Sequence, residues 1–387
     1  MKMSVYILGG KRTAQGSFLG SLANVKATQL GATAIKGALE VSKINSSEIE
    51  QVYMGQVLQA GVGQAPARQA AIAAGVSWQA PCATINKVCG SGLQAIVSAA
   101  QAIMTSDIHL AVAGGMENMS LAPHYMSLRQ GHKYGNIDFK DSMQMDGLWD
   151  SFTDQSMGLC AEKSAQEFKI SREEQDAFAI NSFKKSQLAW EKNYFESEIE
   201  PVRIQAKGSE ILITKDEGPF KADFSKIPNL KPAFKKDGTI TAANASTIND
   251  GACALVIAGD KYASQAEFKI LGWAHHAQYC EDFASAPVGA IEKNLQNCKL
   301  TLEQIDLFEI NEAFALVPLI AMKRLGIAPE KVNIYGGAVS LGHPIGASGA
   351  RVVLTLMNAL KRENKKRGLA TLCIGGGEAL SIIIERL

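Results

Sequence analysis

Apolar and polar residues follow two different periods along the first part of the chain, one typical of strands and one typical of helices. Short apolar runs at Val5–Leu8 and Gln51–Val57 predict buried strands. Helical patterns cover Thr28–Glu40 and begin again near Ala65. Strands that alternate with helices in this way indicate an α/β protein.

The same pattern occurs twice in the chain, as an internal repeat. The recurring pairs are Ile7–Gly9 with Ile270–Gly272, Glu48–Tyr53 with Gln304–Phe308, Gly90–Gly92 with Ala347–Gly349, and Ala113–Glu117 with Gly375–Glu378. Each match alone is short enough to arise by chance in an α/β protein. Because the four matches keep the same order and similar separations, we interpret them as two similar halves.

One of the halves should carry an insertion. The separation between the copies is about twice the length of one copy, so about 130 residues are added to the first. The best candidate is 118–245, which is rich in polar residues and lysine and contains a long helical pattern. We predict that this helix begins at Ser171, where Glu174 completes a capping box, and ends near Asn193.

Length and charge exclude several functional classes. With 387 residues the chain is longer than one hydrophobic core usually organises, which agrees with two units. The 39 Lys and Arg nearly cancel the 38 Asp and Glu, so there is no overall basic field for nucleic acid or a membrane surface. No glycine-rich segment has dinucleotide-binding or P-loop spacing.

The seven cysteines are widely spaced and form no CxxC pair, which argues against a disulfide framework and against a zinc site. The apolar run at Val5–Leu8 is too short for a signal peptide. No apolar run approaches the roughly eighteen residues that a membrane span needs. We therefore expect a cytoplasmic protein.

The first candidate for chemistry is Cys89, at a glycine-rich turn between a short strand at Cys82–Ile85 and an alanine-rich helix. A helix start lowers the pKa of a thiol and makes it a better nucleophile. The alternative is a buried structural cysteine, the more common situation for a single cysteine. Spacing alone leaves the two interpretations about equal.

The second candidate is His343, in the glycine-dense stretch Gly336–Arg351. This stretch is the repeat partner of the Cys89 turn, so the two helix starts should face each other. His343 could then act as the base that activates Cys89. A lone histidine is more often a structural residue, but few lie in such a loop.

Two further segments suggest a site. Cys373 ends a predicted strand at Leu369–Ile374 and is followed by three glycines, whose N–H groups could serve as donors. Asn311 follows a predicted strand at Ile305–Glu309 and could orient a water. A tight strand-to-helix turn would explain either segment equally well.

These motifs together resemble those of the thiolase family along essentially the whole chain. The matching segments are Asn86–Ile96, Asn311–Ala315, Gly336–Arg351 and Cys373–Gly377, with further matches at Arg12–Thr13, Ala65–Gln69, Gly114–Ser120 and Thr241–Gly251. The similarity is closest to the acetyl-CoA acetyltransferase branch, which joins two acetyl-CoA molecules into acetoacetyl-CoA and free CoA.

The resemblance implies a five-layer αβαβα sandwich made of two similar halves, with an inserted loop domain. On this basis we expect the N-terminal half at 1–117 plus 246–267, the loop domain at 118–245 and the C-terminal half at 268–387. It also implies a homotetramer, with the loop domain contributing to CoA binding and to assembly.

The resemblance also implies a role for each catalytic residue. Cys89 corresponds to the residue that carries the acyl thioester, and His343 to the residue that activates it. Cys373 corresponds to the acid/base for the α-proton, and Asn311 to the residue that positions a water. The backbone N–H groups of Cys89 and Gly375 would hold the oxyanion of the tetrahedral intermediate.

Coenzyme A is implied as a substrate, with no metal and no tightly bound cofactor. The residues implied to line its channel are Leu148, Met157, Phe234, Ala242, Ser246, Ile248, Ala313 and Phe314. Lys221 would meet a phosphate, or else is a solvated surface charge.

Three positions depart from the family pattern or bear on specificity. Ser156 replaces a usual histidine, which puts some CoA contacts in doubt. Glu378 stands where a small residue or Met is usual, and would raise the pKa of Cys373 if it faced inward. We expect it to point away, as Glu117 would in the repeat. The bulk of Phe283 favours short acyl chains.

Four functions can be compared. The first is acetyl-CoA acetyltransferase activity by a ping-pong reaction through Cys89. The second is a 3-oxoacyl-CoA thiolase of broader chain length, acting in fatty-acid β-oxidation. A decarboxylating ketosynthase would have a second histidine in place of Cys373. A non-catalytic acyl-CoA-binding protein would not need all four candidate side chains.

Overall fold

A computed structural model describes residues 3–206 and 208–387. The helices are α1 Ala27–Ser42, α2 Pro66–Ala73, α3 Ser91–Met104, α4 Met157–Glu167, α5 Arg172–Glu191, α6 Ala286–Cys298, α7 Leu316–Leu325, α8 Ala338–Leu341 and α9 Ser348–Arg362. The strands are β1 Val5–Arg12, β2 Gly16–Ser17, β3 Gln51–Gly55, β4 Cys82–Ile85, β5 Leu110–Asn118, β6 His124–Tyr125, β7 Lys140–Asp141, β8 Trp149–Asp150, β9 Gln155–Ser156, β10 Val202–Ala206, β11 Ser209–Ile213, β12 Asn249–Ala258, β13 Phe268–Ala277, β14 Leu307–Ile310, β15 Arg367–Ile374 and β16 Glu378–Arg386.

The large sheet runs in the order β14-β15-β16-β13-β1-β12-β5-β3-β4, with β2 beside β12. Its two halves meet where β1 and β13 pair in antiparallel fashion, Val5 with Ile270 and Ile7 with Phe268. The strands β6 to β11 lie between β5 and β12 in the chain and form three separate two-stranded sheets.

Three hydrophobic clusters separate the helices into layers. The central cluster contains α3 and α9, which pack on each other and on strands of both halves. A second cluster lies under α1 and α2 on the first half, and a third under α6 and α7 on the second half. Helices therefore alternate with the two halves of the sheet, and the expected five-layer αβαβα arrangement is confirmed.

The internal repeat is visible in local detail. β1 and β13 each contain a β-bulge against the outer neighbouring strand, at Leu8 between Ile7 and Gly9 and at Leu271 between Ile270 and Gly272. A one-turn helix precedes β3 and another precedes β14, and each begins with a capping box. Equivalent sequences have thus produced equivalent irregularities.

The two halves approach each other closely at two glycines. A Cβ on Gly92 would lie 2.9 Å from the backbone nitrogen of Ala350, and a Cβ on Gly115 would overlap the carbonyl oxygen of Gly346. Close to the second contact, the buried carboxylate of Glu117 accepts hydrogen bonds from Val57, Leu58 and Gly346 N–H groups. From the repeat we expected Glu117 to point away from the centre of the protein. Instead, its carboxylate accepts hydrogen bonds from both halves and links them.

The segment between β5 and β12 is held to the first half by a buried arginine. Arg12 on β1 donates to Glu198 at 2.8 Å and to Asp216 at 2.7 and 2.9 Å. All three side chains are buried. Removing one charge of such a group would leave its partner buried and unpaired, which is strongly destabilising.

Most sequence-based boundaries hold to within a few residues. The predicted capping box of α5 is present at Ser171 and Glu174. The helix ends at Glu191, close to the predicted end near Asn193, and Asn193 adopts the left-handed conformation that terminates helices. Of the residues the structure describes, none belongs to a helix long and apolar enough to cross a membrane.

We expect Gly115→Ala to lower the free energy of unfolding by about 2 kcal/mol, since the new methyl group would have to displace backbone. Urea unfolding followed by circular dichroism measures it. The control is Gly259→Ala, where the nearest atom is a side-chain methyl carbon, Ile103 Cγ2, at 3.1 Å rather than backbone. Equal stability of the two variants would contradict the close approach.

Candidate active site

A cavity of about 340 Å³ opens where the start of α3, the loop before α9 and the β15–β16 turn meet the inserted segment. It is lined by Val88, Cys89, Met119, Gln144, Gly147, Leu148, Ser156, Met157, Gly158, Phe234, Ala245, Ser246, Thr247, Ile248, Phe283, Ala313, Phe314, His343, Ile345, Cys373 and Gly375. Most of these residues are apolar, so a polar atom in the cavity stands out. The structure thus brings Cys89, His343, Cys373 and Gly375 into one chamber.

Cys89 sits on a strained turn. Val88, immediately before it, has a φ of 47°, a left-handed conformation that is unusual for a β-branched residue and costs about 1–3 kcal/mol. The turn is fixed by hydrogen bonds from Val88 N–H to Asn86 Oδ1 (3.1 Å) and from Ser91 Oγ to the Val88 carbonyl (2.7 Å). This conformation presents the sulfur to the cavity.

The Cys89 sulfur is surrounded by two backbone donors and by apolar groups. The N–H groups of Gly375 and of Cys89 itself face it and favour the thiolate. Burial opposes them and is the larger effect, so it raises the pKa of Cys89 to about 11. The lowered pKa expected from a helix start is therefore wrong for the free protein, because desolvation outweighs the N–H groups.

His343 is a neutral base with a defined tautomer. Its Nδ1 lies 2.6 Å from Ser348 Oγ, whose single proton goes to the Pro344 carbonyl at 2.9 Å. With that proton on the carbonyl, Ser348 Oγ accepts from Nδ1–H, and the tautomer assigned in this way leaves the lone pair on Nε2, which has no partner among the described residues. Burial, and then the charge of Arg351, lower the pKa of His343 to about 3.

Cys373 is the last residue but one of β15 and is buried. Burial, and then the nearby sulfur of Cys89, raise its pKa well above the ordinary value for a thiol. After it, Gly376 and Gly377 have φ values of 86° and 85°, which few other residues adopt. This tight turn brings the N–H of Gly375 back to Cys89.

Asn311 is buried and is not among the residues that line the cavity. Its Oδ1 accepts from Arg351 at 3.2 Å, and Arg351 pairs with Glu309 at 3.4 Å. Its Nδ2 has no partner in the part of the chain that the structure describes. The arginine thus orients the amide and leaves one donor available.

Of the nine candidate CoA residues, seven line the cavity: Leu148, Met157, Phe234, Ser246, Ile248, Ala313 and Phe314. Ala242 and Lys221 do not, and line a neighbouring cavity of about 360 Å³ that shares Thr247 with the first. Lys221 Nζ donates to Ser17 and Glu217 at 2.8 and 2.9 Å. The ammonium group of Lys221 is thus paired at the surface, beside the second cavity.

The positions that depart from the family pattern have local explanations. Ser156 caps α4, with its Oγ accepting from Leu159 N–H at 3.4 Å. Glu378 points away from Cys373, as expected, and forms an ion pair with Lys87. Phe283 is buried and packs edge-on against Phe314 at 6.1 Å, which narrows the chamber.

Sequence reasoning missed the supporting residues Ser348 and Arg351. Both lie in the stretch Gly336–Arg351, and Ser348 comes five residues after His343. This short separation in sequence could have indicated that Ser348 contacts His343. It does not indicate which nitrogen of the imidazole ring Ser348 bonds. Within residues 3–206 and 208–387, no group of three His, Cys, Asp or Glu side chains could hold a metal ion.

Comparison with known proteins agrees with this fold. Residues 5–261 match the family described as the thiolase N-terminal domain, and residues 264–386 match the thiolase C-terminal domain. The chain therefore belongs to the thiolase family.

Three relatives match it over nearly their full length. The mitochondrial acetyl-CoA acetyltransferase of Rattus norvegicus is 47% identical, over 99% of this chain and 91% of the relative. The Acat5 thiolase of Ascaris suum, solved in complex with coenzyme A, is 43% identical with a TM-score of 0.94, over 99% and 100% of the two chains. The Bacillus anthracis acetyl-CoA acetyltransferase is 36% identical with a TM-score of 0.97, over 100% and 99%.

We expect alkylation of Cys89 by iodoacetamide to keep accelerating, about tenfold per pH unit, from about pH 8 to about pH 10. The reason is that burial raises the pKa of the thiol to about 11, so the reactive thiolate is scarce until the pH is high. Mass spectrometry of the Cys89 peptide gives the rate, with a free thiol such as glutathione as the reference. A plateau below about pH 8 would indicate a thiolate–imidazolium pair with His343 instead.

Proposed function

We propose that the protein catalyses the reversible Claisen condensation of two acetyl-CoA molecules to acetoacetyl-CoA and CoA, as an acetyl-CoA acetyltransferase. The observation that carries the proposal is that Cys89, His343, Cys373 and the N–H of Gly375 meet in one cavity. Membership of the thiolase family makes the chain an acyltransferase. Relatives with 47% and 36% identity bear this acetyltransferase name.

In the first half-reaction, His343 Nε2 takes the proton of Cys89 as the sulfur attacks the thioester carbonyl of acetyl-CoA. The neutral ring is suited to this because its free lone pair is on Nε2. The oxyanion that forms is held by the N–H groups of Cys89 and Gly375. CoA leaves with the proton, and the acetyl group remains on Cys89.

In the second half-reaction, Cys373 gives its proton to His343 Nε2, and the thiolate takes an α-proton from the next acetyl-CoA. The resulting enolate attacks the acetyl group on Cys89, and the released Cys89 sulfur takes the proton from His343. Both thiols are protonated in the free protein, because burial raises both pKa values. Acylation converts Cys89 to a neutral thioester and so removes its contribution to the raised pKa of Cys373. The first half-reaction thereby prepares the base for the second.

The enolate oxygen needs donors of its own. We assign this role to His343 Nε2, once it has received a proton, and to a water held by Asn311 Nδ2. The hydrogen bond from Arg351 to Asn311 Oδ1 fixes the orientation of the amide, so that Nδ2 is on the side away from Arg351. The same donors act in thiolysis, which follows the path in reverse.

We assign the CoA channel to the inserted segment 118–245 together with the loop at 245–248. The apolar lining of the cavity suits the pantetheine arm, and Phe234 packs on Phe314 at 6.3 Å along it. We assign the nucleotide end to the neighbouring cavity, which is lined by Ala242 and Lys221. Coenzyme A would then be a substrate, with no cofactor bound tightly.

We also propose a homotetramer in the cytoplasm. The hairpin of β6 and β7 exposes large apolar side chains, Tyr134 and Phe139 above all, which suit a contact between copies. The seven cysteines are all free thiols, as is usual in a reducing compartment.

We expect the protein to cleave acetoacetyl-CoA with CoA at least about tenfold more efficiently, in kcat/KM, than 3-oxooctanoyl-CoA. The reason is that the bulky, buried ring of Phe283 lines the same chamber as Cys89 and limits the space for a longer acyl chain. Loss of the 3-oxoacyl absorbance measures both reactions. Equal or better cleavage of the longer substrate would assign the protein to broad-range β-oxidation thiolases.

We expect Cys373→Ala to lower kcat for condensation by about a thousandfold, because the base for the α-proton is removed. The variant should still form acetyl-Cys89 from acetyl-CoA, which intact-mass spectrometry detects. Cys298→Ala, at a partly exposed cysteine on α6, is the control. Loss of acetyl-Cys89 in the Cys373 variant would show that this thiol serves the first half-reaction instead.

A further inference from the structure

Lys87 and Glu378 form an ion pair between the two halves of the protein. Lys87 lies two residues before Cys89, in the loop after β4. Glu378 opens β16, directly after the Gly375–Gly377 turn. The pair therefore joins the segment that carries the nucleophile to the segment that carries the second backbone donor.

Each end of the pair belongs to a firmly held stretch of backbone. The Lys87 N–H donates to Ser91 Oγ at 2.8 Å, and Ser91 begins α3. Glu378 pairs with Ile374 of β15 on one side and with Ala277 of β13 on the other. The ion pair thus connects two stretches of backbone that are each held in place by other hydrogen bonds.

Other contacts also join these two segments, including the Gly375 N–H that faces the Cys89 sulfur. Gly90 packs so closely on Ile374 that a Cβ on the glycine would lie 2.5 Å from Ile374 Cδ1. This apolar contact limits approach but does not prevent the segments from sliding along each other. The ion pair supplies the lateral restraint.

We propose that the Lys87–Glu378 pair sets the distance between the N–H groups of Cys89 and Gly375, and so tunes the oxyanion hole of the acylation step. The inference rests on the proposed function. Lys87 and Glu378 are positioning residues, since they act through the backbone of Cys89 and Gly375 and not on the substrate.

The exposure of the pair argues that stability is not its main contribution. The two side chains are 23% and 38% exposed, and ion pairs this accessible to solvent add little to folding stability. Oxyanion donors, in contrast, must lie within a few tenths of an ångström of their place. A weak interaction can therefore matter more for rate than for stability.

The first test compares two reactions of Glu378→Gln. We expect acetylation of Cys89 by acetyl-CoA, followed by rapid quench and mass spectrometry, to slow about tenfold. The second reaction is deuterium exchange into the methyl group of a keto analogue, in which CH2 replaces the thioester sulfur of acetyl-CoA. The analogue cannot acylate Cys89, and its exchange, which depends on Cys373, should stay within about twofold of wild type.

The second test is a double-mutant cycle. Lys87→Gln should slow acetylation as much as Glu378→Gln, and the double variant should be no slower than either single one. The exchanged pair, Lys87→Glu with Glu378→Lys, should recover part of the lost rate. His275 and Lys293 lie beside the pair and are unchanged in every variant, which keeps the comparison matched.

The control is Glu385→Gln, which breaks the pair with Arg367 at 2.6 Å. Glu385 is on the same strand, and its pair is similarly exposed at 18% and 29%. Acetylation should be unchanged in this variant.

Three results would overturn the inference: unchanged acetylation in Glu378→Gln, an equal loss of acetylation and exchange, or additive effects in the cycle. If the wild type forms acetyl-Cys89 and Glu378→Gln forms it at the same rate, only this inference is overturned and the proposed function stands. A wild type that forms no acetyl-Cys89 would overturn the proposed function as well.

Discussion

The structure depends on a contact between two backbones at the boundary of its halves. Gly115 lies so close to the carbonyl of Gly346 that no side chain fits between them, and Glu117 receives three N–H groups beside that contact. This approach brings the loop of His343 next to the turn of Cys89. The separation between these two segments is thus set by main-chain packing.

Burial is the dominant electrostatic effect at the site. It keeps His343 neutral and both thiols protonated, although backbone N–H groups and a helix start oppose it at Cys89. The free protein therefore holds its reactive groups uncharged, and charge appears only as substrate binds and bonds change. A chamber lined by apolar residues makes such charges costly unless donors are already aimed at them.

Much of this could be predicted from sequence, because local signals suffice for local structure. The capping box of Ser171 fixed the start of α5, and the Cys89 turn marked the start of α3. The protonation states could not be predicted, since they depend on how deeply the whole fold buries Cys89. Nor could the partner of Glu378, because Lys87 is 291 residues away and meets it only through the packing of the halves.

The joint between β1 and β13 has a consequence of its own. Val5 pairs with Ile270 and Ile7 with Phe268, so the joint is symmetric about the pairing of Tyr6 with Lys269. Such a contact is self-complementary, and two separate half-length chains could make it without a linker. What covalent linkage adds is asymmetry. In this chain the first half carries the nucleophile and the insertion, and the second half carries the base and the second thiol.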